Sequence, residues 1–273
     1  MKKPPRKLSA ANAQRKTSNL LLPILCAAGL WPGVAAATDW TAADVFTPRM
    51  EAKTFTSTGP QPIKVEYLLY LPKAYQTNPG GRWPLMPYLH GAGERSSNVF
   101  GVTWHGPPKL VRQGHDFPFL IVAPLCPPKQ WWGDTKLLRL LDHVEKEYRV
   151  DTNRVYLTGM SMGGSGTWSL GLTHAKRFAA IAPICGNVNP AFLKKLSPEQ
   201  TEAIRSLHVW AFHGAKDPTI PVAASERMTD ALKEMGCTNV VFTKYPNADH
   251  DSWTVTYNNG AFYQWLNKYQ RKP

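Results

Sequence analysis

The chain has 273 residues, of which 43% are hydrophobic and 19% charged, and a net charge of +13. This balance excludes a disordered or low-complexity protein, and four cysteines are too few for a disulfide-built scaffold of this length. The basic residues form no long run interleaved with aromatics, so a solvated basic surface is expected and nucleic-acid binding is not.

Six basic residues (Lys2, Lys3, Arg6, Lys7, Arg15 and Lys16) precede the first acid. An apolar run from Leu20 to Trp31 follows, and then the small residues Ala35, Ala36 and Ala37. Basic, apolar and small-residue segments in that order predict a secretory signal peptide over residues 1–37, cleaved near Ala37. Pro23 interrupts the apolar run and Pro32 follows it, which leaves it short for a bilayer span, so stable membrane insertion is not expected. Cleavage would remove six positive charges and leave 236 residues at a net charge of +7, secreted or periplasmic. Residues 38–273 then have the length of a single domain with a sizeable core.

Residues 51–57 and 63–71 read as two strands around a Gly-Pro turn, with Val65, Tyr67, Leu69 and Leu71 alternating as in a half-buried hairpin. From Trp83 onward the rhythm changes. Short apolar strands at 84–89, 119–123, 155–158, 179–183, 209–213 and 240–245 alternate with helical segments, among them 137–148, 167–174, 223–235 and 262–269. Such alternation predicts an α/β fold: a mostly parallel sheet covered by helices on both faces and led by an antiparallel hairpin. The two dozen residues after Pro183 hold one or two short helices, near 190–196 and 198–205, and no large cap.

Cys126, Cys185 and Cys237 lie beyond the signal peptide. Cys126 and Cys185 each follow a strand end, which puts both sulfurs near one edge of a parallel sheet. A bridge between them and a pair of buried free thiols are both open.

Gly159-Met160-Ser161-Met162-Gly163 falls between a strand-like run and a helix-like run. G-x-S-x-G in that setting describes a nucleophile elbow, a tight turn that lifts a serine hydroxyl out of the backbone. The hydroxyl needs a base, an orienting acid and donors for an oxyanion. Asp217 follows the strand at 209–213, and His250 follows the strand at 240–245, with a helix between them, as a βα unit requires. The other histidines are less well placed. His143 and His174 fall in helices, His208 starts a strand, and His105 and His115 sit in loops with no acid assigned by topology. His90 and His213 precede glycines at strand ends and read as loop braces. Asp249 and Asp251 read as loop-capping groups. The small-residue loop Leu89-His-Gly-Ala-Gly-Glu94 follows the strand at 84–89, and places the Ala92 amide opposite that of Met162 as the two oxyanion donors.

These segments resemble the α/β-hydrolase superfamily. Within it they resemble the esterase branch of dienelactone hydrolases, phospholipase/carboxylesterases, polyhydroxybutyrate-depolymerase-like and feruloyl-esterase-like proteins, some labelled "predicted peptidase". The resemblance is carried by Tyr70-Leu-Pro72, Leu89–Glu94, Gly106–Val111, Val122–Pro127, the elbow, Ala182–Gly186, His213–Asp217 and His250–Trp253. It implies a carboxylic ester hydrolase with an open cleft and neither metal nor cofactor, with Ser161, Asp217 and His250 as nucleophile, acid and base. Dienelactone hydrolases carry cysteine where this chain has Ser161, which sets their substrate aside.

Trp131 and Trp132, shortly after a strand end, are expected on the rim of the site, joined by Trp104 and Trp253. Such a rim suits a sugar or phenolic acyl group, as in plant cell-wall feruloyl or acetyl esters; ordinary loop packing is the other reading. The partner is then a small-molecule or polysaccharide-linked ester. A serine peptidase or acyltransferase using the same residues, and a non-catalytic extracellular binding protein, remain as alternatives.

Overall fold

The computed structural model describes residues 49–58 and 62–271; the expected signal peptide at 1–37 lies outside them. Eight strands form one sheet: β1 (Met50–Thr56), β2 (Lys64–Tyr70), β3 (Trp83–Leu89), β4 (Leu120–Pro124), β5 (Val150–Met160), β6 (Ala180–Ile184), β7 (His208–Gly214) and β8 (Val240–Tyr245). Their spatial order is β1-β2-β4-β3-β5-β6-β7-β8. The leading hairpin is antiparallel, β2 runs antiparallel to β4, and every pairing from β4 to β8 is parallel. This is the α/β-hydrolase architecture, as the strand–helix rhythm predicts.

The helices are α1 (Ala74–Thr77), α2 (Gly106–Arg112), α3 (Asp134–Glu147), α4 (Met162–Thr173), α5 (Pro198–Ser206), α6 (Ala223–Glu234), α7 (Ser252–Tyr257) and α8 (Gly260–Asn267). β4 and β6 are buried along their whole length, which is why they read as unbroken apolar runs. The outer strands β1 and β8 leave most of their residues partly or fully exposed. A 3₁₀ turn at Pro190–Lys195 and helix α5 occupy the stretch after β6, where the sequence leaves room for two short helices. Helices α1, α2 and α7 are short and carry no clear apolar period, so the sequence pattern does not mark them.

Cys126 and Cys185 do share a sheet edge, but they are not bridged. Each follows its strand, and β3 and β5 stand between β4 and β6. Three strand spacings amount to about 14 Å, roughly twice the Cα separation a disulfide can span. Both are buried free thiols, as is Cys237.

Helix α4 begins directly after Ser161, five residues before the apolar period would start it. Glycines at 163, 164 and 166 hide the start by their low helix propensity, yet packing demands them. The first turn of α4 is driven against the ends of β3 and β6. A Cβ at Gly163 would lie 1.9 Å from the Leu89 carbonyl oxygen, and one at Gly164 would lie 2.2 Å from that of Ile184. Backbone, unlike a flexible side chain, has nowhere to retreat. Gly163→Ala is therefore expected to cost about 3 kcal/mol or more, a fall in Tm of roughly 6–12 °C for a domain of this size, read by thermal denaturation.

Candidate active site

Ser161 stands between β5 and α4 with φ 53° and ψ −116°, at positive φ where a side chain is strained. The turn is held from both sides. The Ser161 N–H donates to the Ile184 carbonyl at 2.9 Å, and the Ser161 carbonyl accepts from Ser165 N–H at 2.9 Å. With the backbone so constrained, the hydroxyl projects above the sheet edge.

His250 meets it there. Its Nε2 lies 2.9 Å from Ser161 Oγ, and its Nδ1 lies 2.7 Å from Asp217 Oδ2. A carboxylate only accepts, so Nδ1 carries the proton and Nε2 is left to take one from the serine. Asp217 presents a fully buried carboxylate with four donors around it. Oδ1 accepts from the amides of Thr219 and Ile220 at 2.8 and 2.9 Å. Oδ2 faces His250 and, at 3.1 Å, the Nε2 of His213. Burial by itself would raise the Asp217 pKa, but the bonds from His250 and the two amides outweigh it and hold the carboxyl below its ordinary value.

His213 is thus more than the loop brace read from its position. Its Nε2 also lies 2.9 Å from the Ile220 carbonyl, so that nitrogen carries the proton, and the Ser225 hydroxyl donates to Nδ1 at 2.7 Å. It shares Asp217 Oδ2 with His250 and so helps fix the carboxylate in place. The spacing of His213 and Asp217, four residues apart across the end of β7, is the signal in the sequence that could have revealed the pairing.

Ala92 and Met162 each open a helical turn, at Ala92–Glu94 and at α4, so neither amide has a partner within its own turn. His90 anchors the first of these turns. Its Nδ1 donates to the Gly91 carbonyl at 2.6 Å, and its Nε2 accepts from the Cys126 amide at 2.9 Å. That arrangement requires a neutral ring, and burial lowers its pKa to about 4. Trp132 ties in from above, its indole N–H donating to the His90 carbonyl at 3.1 Å. Asp249 and Asp251 cap as expected. Asp249 accepts from the Asp251 amide, and Asp251 caps α7 by accepting from the Thr254 amide.

A cavity of about 550 Å³ opens beside Ser161, lined among others by Ala92, Met162, Trp131, Trp132, Val188 and Ile220. Trp131 is 69% exposed and stands at its rim, with the Arg95 guanidinium 5.9 Å from its ring centroid. The four tryptophans are not gathered together. Trp104 is 57% exposed at the end of the turn Val99–Trp104 and does not line this cavity. Trp253, in the first turn of α7, has its ring perpendicular to that of His250, centroids 5.3 Å apart. The reason is topological. Trp131 and Trp132 follow β4, whereas Trp104 precedes α2 and Trp253 follows β8.

One set of side chains among the described residues could by distance hold a metal ion. One donor atom from each of Cys185, Asp217 and His250 falls within 4.8 Å of the others. Their chemistry fits an ion poorly. Burial pushes the Cys185 thiol up to about 12, well away from the thiolate a metal takes, and His250 and Asp217 are engaged with each other.

Residues 134–261 match a family model described as Phospholipase/Carboxylesterase. The chain is similar to the bifunctional acetylxylan esterase/xylanase XynS20E of Neocallimastix patriciarum, 31% identical over 121 residues, which is 43% of this chain and 17% of that protein. It is similar in structure to a thermostable esterase, with a TM-score of 0.63 and 31% identity over 81% of this chain and 63% of the other. It also shares its fold with the feruloyl esterase module from Clostridium thermocellum complexed with sinapinate (TM-score 0.57, 20% identity, 81% of this chain and 88% of that one). The chain therefore spans less than a fifth of the curated relative and under two thirds of the thermostable esterase.

The depressed pKa of Asp217 ties stability to pH. A carboxyl whose folded value lies below its unfolded value stabilises the fold above the unfolded value, and that contribution is lost as pH falls through the folded one. Asp217→Asn is expected to melt below the wild type at neutral pH. The gap should narrow as pH drops below about 4, as thermal melts over that range would read.

Proposed function

We propose that this chain, an α/β-hydrolase of the carboxylesterase-like family, is an exported serine hydrolase of carboxylic esters. One observation carries the reading: Ser161 Oγ, His250 and Asp217 form an unbroken hydrogen-bonded line with contacts of 2.9 and 2.7 Å. Ser161 Oγ attacks the ester carbonyl carbon while His250 Nε2 takes the hydroxyl proton. The carbonyl oxygen, now an anion, is held by the amides of Ala92 and Met162, each worth on the order of a hundredfold in rate. As the C–O bond breaks, His250 returns the proton to the leaving alkoxide and an acyl-Ser161 ester remains. Water then attacks that ester, again giving up its proton to His250. The acid leaves, and Ser161 recovers its hydrogen. Throughout, Asp217 keeps the His250 proton on Nδ1 and stabilises the imidazolium.

The cavity beside Ser161 has the volume of an ordinary small-ligand site, with Trp131 and Trp132 forming an aromatic wall. Such a wall suits a planar phenolic acyl group or the apolar face of a sugar. The relative of Neocallimastix patriciarum is, by its name, an esterase of acetylxylan. We take cell-wall feruloyl or acetyl esters as the substrate class. Residues 1–37 serve as the export signal, and 38–273 as one catalytic domain.

The test compares kcat/KM on methyl ferulate and p-nitrophenyl butyrate. Ser161→Ala is expected to lower both by about ten-thousandfold or more, and to abolish labelling by a fluorophosphonate. Trp131→Ala is expected to raise KM for methyl ferulate several-fold, with little change for the butyrate. Full activity in the serine variant would overturn the mechanism; equal behaviour of both esters in the tryptophan variant would overturn the phenolic substrate.

A further inference from the structure

Glu94 is 5% exposed, and one of its carboxylate oxygens, Oε2, has no hydrogen-bond partner. A buried carboxylate left so incompletely satisfied is costly, and the reaction described above makes no use of it. It closes the turn that starts at Ala92, and its Oε2 would lie 3.0 Å from a Cβ on Gly91, which would itself lie 3.5 Å from Ser161 Cβ. The carboxylate therefore sits directly beneath the turn that faces the serine.

From Glu94 a line of contacts leads to His250. The Nε2 of His105 lies 3.5 Å from Glu94 Oε1. The other nitrogen of that ring, Nδ1, lies 3.3 Å from the indole Nε1 of Trp253. An indole N–H only donates, so His105 Nδ1 must accept, and the ring proton resides on Nε2, facing the carboxylate. The tautomer is thus determined from both ends. Trp253 in turn stands perpendicular to His250, ring centroids 5.3 Å apart, on the flank of the imidazole that Asp217 does not control. Sequence position had left His105 without an acid; the turn at Ala92–Glu94 supplies one.

We infer that Glu94 is a positioning residue for the ester hydrolysis, acting through His105 and Trp253 to hold the imidazole of His250 in line with Ser161. The inference rests on the reading of Ser161 and His250 as nucleophile and base. The other titratable groups facing the carboxylate are His90, whose Nδ1 is 3.9 Å from Oε2, and Tyr88, fully buried on β3 with an unpartnered hydroxyl. His90 is committed to Gly91 and Cys126, and neighbouring Arg95 to the carbonyls of Ala92 and Gln130. Neither neutralises Glu94. Burial accordingly pushes the Glu94 carboxyl above its ordinary value. A group raised in this way favours the fold when protonated and loses that contribution as pH rises through its folded value. Deprotonating Glu94 therefore works against the fold, and a neutral isostere is expected to preserve it.

The experiment measures kcat and KM on p-nitrophenyl butyrate, with melting curves at neutral pH, for wild type, E94Q, H105A, W253F and the double variant E94Q/W253F. Each single variant is expected to lower kcat about tenfold and leave KM within about twofold, the loss expected from a displaced reacting group. The double variant should be no slower than the slower single one, because both changes break one line of contacts. E94Q should melt no lower than wild type, a combination that a purely structural glutamate would not produce. Unchanged kcat in E94Q, or a multiplicative loss of about a hundredfold in the double variant, would overturn the inference. An E94Q that fails to fold, or melts well below wild type, would mark Glu94 as structural and overturn the inference as well. An inactive wild type would instead sink the esterase reading, whereas activity lost in S161A but intact in E94Q sinks this inference alone.

Discussion

The structure depends on a backbone-to-backbone approach: the first turn of α4 is pressed into the ends of β3 and β6. Gly163 and Gly164 lie so close to the Leu89 and Ile184 carbonyls that no side chain fits. This contact forces Ser161 into positive φ and lifts its hydroxyl clear of the sheet. It also brings the turn after β3, with its Ala92 amide, beside the start of α4. The parallel strands supply the frame. Their buried, unbroken apolar faces give the loops at their ends a rigid base, so catalytic-type groups from distant parts of the chain can be held to fractions of an ångström.

Two buried carboxylates flank the site, and they show how environment decides the behaviour of one functional group. Asp217 has four donors around it, and they more than offset its desolvation, so it stays charged. Glu94 has one imidazole at 3.5 Å and an oxygen with no partner, and there desolvation prevails. The satisfied group lends stability to the fold; the other draws on it. Between the two, His250 is held by Asp217 at its Nδ1 edge and by the Trp253 ring on its flank.

The cavity owes its shape to a different part of the chain. Trp132 lies along α4 because Gly166 leaves room; a Cβ there would come within 2.9 Å of it. Its indole N–H is bound to the His90 carbonyl, which ties Trp132 to the loop that carries the Ala92 amide. A second cavity, of about 310 Å³, shares Trp131 and Trp132 and extends along Lys64, Gln130 and Lys136. The aromatic pair is therefore a partition between two hollows, one of which reaches the serine.

Much of this was legible in contiguous residues. G-x-S-x-G between a strand and a helix marks an elbow because the turn admits only glycine two positions either side of the serine. Asp217 and His250 stand out because each follows a strand in the order the architecture requires. The alternation of apolar strands and helices determined the layered fold, since burial on both faces leaves an unbroken apolar run. Contacts that depend on which strands are neighbours could not be read this way. Cys126 and Cys185 share an edge in sequence logic, yet β3 and β5 separate them in space. Trp104 follows the aromatic pattern but lies outside the cavity. His105 found its acid only once the loops had folded over one another, whereas the four-residue spacing of His213 and Asp217 stands in the sequence itself. Local periodicity and turn chemistry are written along the chain; the order of strands, and hence which loops meet, is settled by the packing of the whole sheet.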